Sequence, residues 1–174
     1  MRKLQPGNVL AVRAIGGLHV VTIAWDFVAG QEAKRDALPG FATERSQLKK
    51  GKEIERYLLR GIKRFTLKDE GVAAGPPMPT SEHPIQSFQW GNYTAKPETT
   101  YRFRVVPVYG EPKRLELDDA SSTTVEITTE GEKGRAGEDG QPAHDIYFNR
   151  GVAGSQAYAR KFGETKPDET QPDS

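Results

Sequence analysis

The segment Ala95–Val105, reading Ala-Lys-Pro-Glu-Thr-Thr-Tyr-Arg-Phe-Arg-Val, limits the possible folds of this chain more than any other stretch. Pro97 fixes φ and withholds a ladder donor, so the chain turns there. Beyond the turn the side chains alternate: Tyr101, Phe103 and Val105 share one face, Arg102 and Arg104 the other. That period of two is the pattern of a half-buried antiparallel strand. A tyrosine just past such a corner buries its ring and returns its hydroxyl to the main chain upstream, here near Ala95 or Lys96. The segment predicts a β-sandwich and carries no chemistry of its own.

The rest of the chain supplies strands at similar spacing. Asn8–Ala14 reads as a first strand closed by Gly16-Gly17. His19–Phe27 places Val21, Ile23, Trp25 and Phe27 on one face. Leu38–Arg45 is a third strand with Phe41 and Thr43 inward, and Ser46–Ile54, polar and basic, reads as a loop. Tyr57–Phe65 suits strand or helix, with Gly61 against a helix. Residues 67–84 hold four prolines and two glycines, a density that denies a central strand and predicts a long loop or insertion. Ile85–Trp90, Thr100–Tyr109 and Thr123–Thr129 complete the set, the last with Val125 and Ile127 inward. About seven short strands and no long periodic helix predict an all-β antiparallel sandwich over residues 8–130.

After Glu130 the composition shifts. Gly131–Gly140 is glycine plus charge, a flexible linker. Residues 131–174 therefore read as linker and tail. Ser155–Phe162 in it suits a short helix capped by Ser155 and stopped by Gly163. The final residues are Pro-rich and acidic.

Composition narrows function mainly by exclusion. The chain has no cysteine, which removes disulfides, thiolate metal sites and a cysteine nucleophile. Its net charge of +1 gives no general attraction to nucleic acid. Locally, however, Lys49, Lys50, Lys52, Arg56, Arg60, Lys63 and Arg64 face only Glu53 and Glu55 between positions 49 and 64. No apolar run follows Arg2 and Lys3, and none spans a bilayer, so a cytoplasmic protein without signal peptide or transmembrane segment is expected.

Trp25, Leu38 with Phe41, and Ala95-x-Pro97-x-Thr99-x-Tyr101 resemble the immunoglobulin-like fibronectin type III pattern, with Ala95 where that pattern usually has leucine. More narrowly, Gly-Phe-Ala-Thr-Glu-Arg at 40–45, Pro-Ile-Gln-Ser-Phe-Gln-Trp-Gly at 84–91 and the stretch from His144 to Arg160 are similar to the N-terminal region of bacterial phospholipase D-like proteins. The resemblance implies a fibronectin type III-like accessory module, joined to a phospholipase D-like catalytic domain in the same chain or in trans. It places Tyr147, Phe148, Asn149 and Arg150 at the junction.

That superfamily acts through His-x-Lys-x-x-x-x-Asp, one histidine attacking phosphorus and another protonating the leaving group. None of His19, His83 and His144 is followed two residues later by lysine. His144 and Asp145, adjacent on an extended chain, point to opposite faces. His83 in the Pro-rich stretch reads as a surface imidazole. Three dispersed histidines make no metal signature, and Gly151–Ser155 lacks the Gly-Lys-Ser/Thr ending of a nucleotide loop. No cofactor is expected.

The functional expectation is a non-catalytic interaction module. The structural hallmarks are Trp25, Phe41, Pro97 and Tyr101; Trp90 and the basic and junction residues are the contact candidates. An independent adhesion or scaffold module of the same fold, and a phosphate-backbone or anionic-surface binder using Lys49–Arg64, are the alternatives.

Overall fold

The computed structural model describes residues 1–61, 65 and 77–131. Over the described residues the structure is all-β, and every described strand pairs antiparallel. One sheet has the order β1 (Arg2–Pro6), β2 (Leu10–Gly16), β3 (Val21–Phe27), β8 (Gln89–Asn92). The second is built on β9 (Thr100–Glu111), with β4 (Gly40–Lys49) on one edge and β5 (Lys52–Leu58) beyond it. The other edge of β9 takes β11 (Thr123–Thr128) along its first half and β10 (Arg114–Leu117) along its second. A small ribbon pairs β6 (Arg60–Gly61) with β7 (Met78–Pro79).

The inward faces of the two sheets share one core. Leu10, Val12, Val21, Ile23, Trp25 and Phe27 from the first meet Phe41, Tyr101, Phe103, Val105, Val125 and Ile127 from the second. All the positions that alternation assigns inward in β3, β9 and β11 are buried. The alternation is sharp where only one face of a strand is covered, because the hydrophobic effect then sorts the residues by parity. A smaller cluster, Ala42, Val106 and Val108 with Leu58 and Leu115, lies on the opposite face of the second sheet.

Several expectations need correction. The strand expected at Asn8–Ala14 is the second, β2 at Leu10–Gly16, and β1 precedes it. All five residues of β1 are exposed, so no apolar face marked it; main-chain pairing from Arg2–Ile15 to Pro6–Ala11 holds it. The supposed loop Ser46–Ile54 is a hairpin in which β4 runs on to Lys49, turns at Lys50-Gly51 and returns as β5. The Ile85–Trp90 strand is shorter and later. Ile85 makes an isolated bridge to Phe41, and the ladder starts only at Gln89. β10 went unread because Arg114 and Glu116 alternate with leucines that are only partly covered. In the Pro-rich stretch, Pro79 sits in the two-residue edge strand β7, where a missing ladder donor is tolerated.

Candidate functional site

Two segments distant in sequence meet where β4 begins. The Phe41 amide donates to the Ile85 carbonyl at 2.9 Å, and the Ile85 amide donates back to the Phe41 carbonyl at 2.8 Å. The Phe41 ring then packs edge-on to Trp25 at 5.3 Å and to Phe88 at 5.1 Å between centroids. These are the T-shaped geometries that aromatic quadrupoles favour. Arg35 lays its guanidinium 4.9 Å from the centroid of Phe88 and pairs with Asp26 at 2.8 Å. Gly40 makes the approach possible. Its φ is 153°, and a Cβ there would stand 2.5 Å from the Ile85 carbonyl oxygen. The stretches 40–45 and 84–91 thus form one structural unit.

The corner at the start of β9 has the expected form. The Lys96 amide donates to the Tyr101 hydroxyl at 2.8 Å, and both Ala95 and Tyr101 are buried. Beside it lies a feature that the sequence did not reveal. Arg45 follows Phe41 and Thr43 on the inward face of β4 and is only 4% exposed. Its guanidinium carbon lies 4.5 Å from the Tyr101 ring centroid and 5.2 Å from that of Tyr57. It donates to the Tyr57 hydroxyl and pairs with Glu55 at 3.6 Å. Among the described residues its Nε has no hydrogen-bond partner. A guanidinium tolerates this position because its faces stack on aromatic rings while its edge reaches polar groups. Only the register of β4 against β5 and β9 brings these side chains together.

The basic stretch divides in two. Arg56 pairs with Glu44 at 2.9 Å, and Glu44 followed by Glu53 holds its guanidinium above its ordinary pKa. Lys49, Lys50 and Lys52 cluster at the β4–β5 turn, all exposed, and no ion pair joins them among the described residues. Arg60 is exposed in β6; Lys63 and Arg64 lie outside the described residues. The free edge of β5 carries charged side chains and a register shift opposite Gln47/Leu48, features that discourage sheet-to-sheet pairing.

Trp90 is half-buried against the core, while Tyr93 is 50% exposed and lays its ring over Gly91. Trp90, Pro84, Ile85, His83 and Gly61 line a cavity of about 160 Å³, smaller than sites that enclose a drug-sized ligand. A larger, polar groove of about 450 Å³ lies between β1 and β11, bordered by Arg2, Lys3, Thr124 and Glu126. Glu126 is engaged by Arg102 at 2.5 Å.

His83 is buried rather than on the surface. Its Nδ1 accepts from the Phe65 amide at 3.4 Å, its ring lies 5.8 Å from that of Phe65, and its own amide donates to Pro79. The proline-rich surroundings suggested exposure, but the turn after β7 folds the imidazole inward. His19 is half-buried in the β2–β3 connection. Among the described residues no group of three or more His, Asp or Glu could hold a metal ion. No described helix is long and apolar enough to cross a membrane.

Tyr147, Phe148, Asn149 and Arg150 lie outside the described residues, as do His144 and Asp145, the linker and the short helix. Comparison with family models, with curated proteins and with solved structures gives no match.

Proposed function

We propose that this chain is a fibronectin type III-like accessory module that works with a phospholipase D-like phosphodiesterase domain, in the same chain or in trans, and does no chemistry itself. The observation that carries the reading is the Phe41–Ile85 bridge. It joins the two segments similar to phospholipase D-like N-terminal regions into one packed unit, so that what those proteins would share here is a scaffold. The reading of an immunoglobulin-like sandwich draws on the strand orders and on the Lys96–Tyr101 hydrogen bond. Such a module contributes by orienting its partner, through contact rather than bond-making.

Immobilised chain should capture, from an extract of its source cells, a polypeptide with two His-x-Lys-x-x-x-x-Asp motifs, or be found translated contiguously with one. Repeated capture of proteins without that motif pair, from cells whose genome encodes none beside this reading frame, contradicts the proposal.

A further inference from the structure

The β4–β5 turn is built at an energetic disadvantage that its charges do not relieve. Lys50 and Gly51 are the central residues of a two-residue hairpin loop, with φ of 51° and 76°. Positive φ at both positions is what a type I′ turn requires, and asparagine or glycine meets it with least strain. Lysine at position 50 holds a left-handed backbone without the local hydrogen bonding that helps asparagine there. Lys49 and Lys52 lie directly opposite each other across the ladder. Like charges in that relationship repel.

The acids of the hairpin do not answer these cations. Glu44 pairs with Arg56, Glu55 pairs with Arg45, and Glu53 acts on Arg56. Arginines thus take Glu44 and Glu55, and among the described residues no ion pair joins Glu53 to a lysine, which leaves three ammonium groups within four residues at an exposed tip.

We infer that the Lys49–Lys52 tip is a contact site for the phosphodiester backbone of nucleic acid. Three ammonium groups within four residues, joined by no ion pair among the described residues, match a row of singly charged phosphates, and such contacts gain by releasing condensed counterions. The tip itself carries no apolar or aromatic side chain. It therefore lacks what would insert into a lipid interface, and what would stack on bases. Binding at this tip is accordingly insensitive to sequence. The inference rests on the hairpin alone and stands apart from the accessory-module reading.

The test is fluorescence anisotropy of the full chain with labelled short duplex DNA of arbitrary sequence, titrated at several salt concentrations. A parent slope of log K against log[salt] of about −2.7 is expected from three phosphate contacts, falling to about −1.8 in Lys50→Asn. Combined Lys49→Thr, Lys50→Asn and Lys52→Thr should abolish binding. Asparagine suits the left-handed position, so the melting midpoint of these variants should hold or rise, separating lost contact from lost fold. No binding at low salt overturns the inference. So does a slope unchanged in the triple variant, or binding to phosphatidylserine vesicles without binding to DNA.

Discussion

Phe41 and Ile85 exchange both main-chain hydrogen bonds outside any continuous ladder, and Gly40 permits it by having no side chain. Gly40→Ala would put a methyl group against the Ile85 carbonyl and the Pro84 ring at a φ that L-residues rarely adopt. The expected loss is about 1–3 kcal/mol in a denaturant titration. Phe41→Ala, which empties the centre of the aromatic cluster, should cost about 3–5 kcal/mol. A Gly40→Ala variant as stable as the parent would mean that the bridge is not a fixed part of the fold.

The Lys96–Tyr101 bond gives a second prediction. Tyr101→Phe keeps the buried ring and removes only the acceptor, leaving the Lys96 amide without its partner. A loss of about 1–3 kcal/mol is expected. Amide hydrogen exchange should show Lys96 protected in the parent and exposed in the variant. Equal protection in both would show that the corner is held by other contacts.

Arg45, Tyr57 and Tyr101 should behave as a coupled set. In a double-mutant cycle of Arg45→Met with Tyr57→Leu, the coupling should be about 0.5–2 kcal/mol in favour of the stacked pair. Additive effects would show that the guanidinium is a bystander held by β4 alone.

Tyr109 predicts the alkaline behaviour. Burial, and then the nearby Asp118 carboxylate, raise its pKa above the ordinary phenol value. The folded state therefore holds the phenolic proton more tightly than the unfolded one. The associated stability is intact below the ordinary phenol pKa and is lost as pH rises from there through the folded value. Its hydroxyl has no hydrogen-bond partner among the described residues, so Tyr109→Phe should be neutral or stabilising near pH 7. Melting curves on both sides of the phenol pKa should show the parent losing more of its midpoint than Tyr109→Phe. Parallel losses would locate the alkaline weakness elsewhere.

Where one face of a strand is covered and the other wet, the sequence could be read directly. Trp25 in β3, Phe103 in β9 and Val125 in β11 fall in phase for that reason. Where burial does not sort the faces, pattern disappears. β1 is exposed on every residue and β5 along almost its whole length, so no pattern marks β1 and the first residues of β5 read as loop. Arg45 occupies an inward position that hydropathy alone would assign to an apolar residue; stacking on two rings fixes it there, a tertiary cause invisible in a local window. The lysine pair at 49 and 52 was legible as charge, but its strain emerges only from the register of the hairpin. His83 misled because proline density usually means surface, whereas here the turn after Pro79 folds inward.

The measurement that bears most directly on the central claim is hydrolysis of bis(p-nitrophenyl) phosphate by the purified chain. The account predicts release no faster than in buffer, because none of its histidines begins a His-x-Lys-x-x-x-x-Asp motif. Steady turnover that is lost on His144→Ala or His83→Ala, in variants that retain the parent melting midpoint, would contradict it and make this chain the enzyme itself.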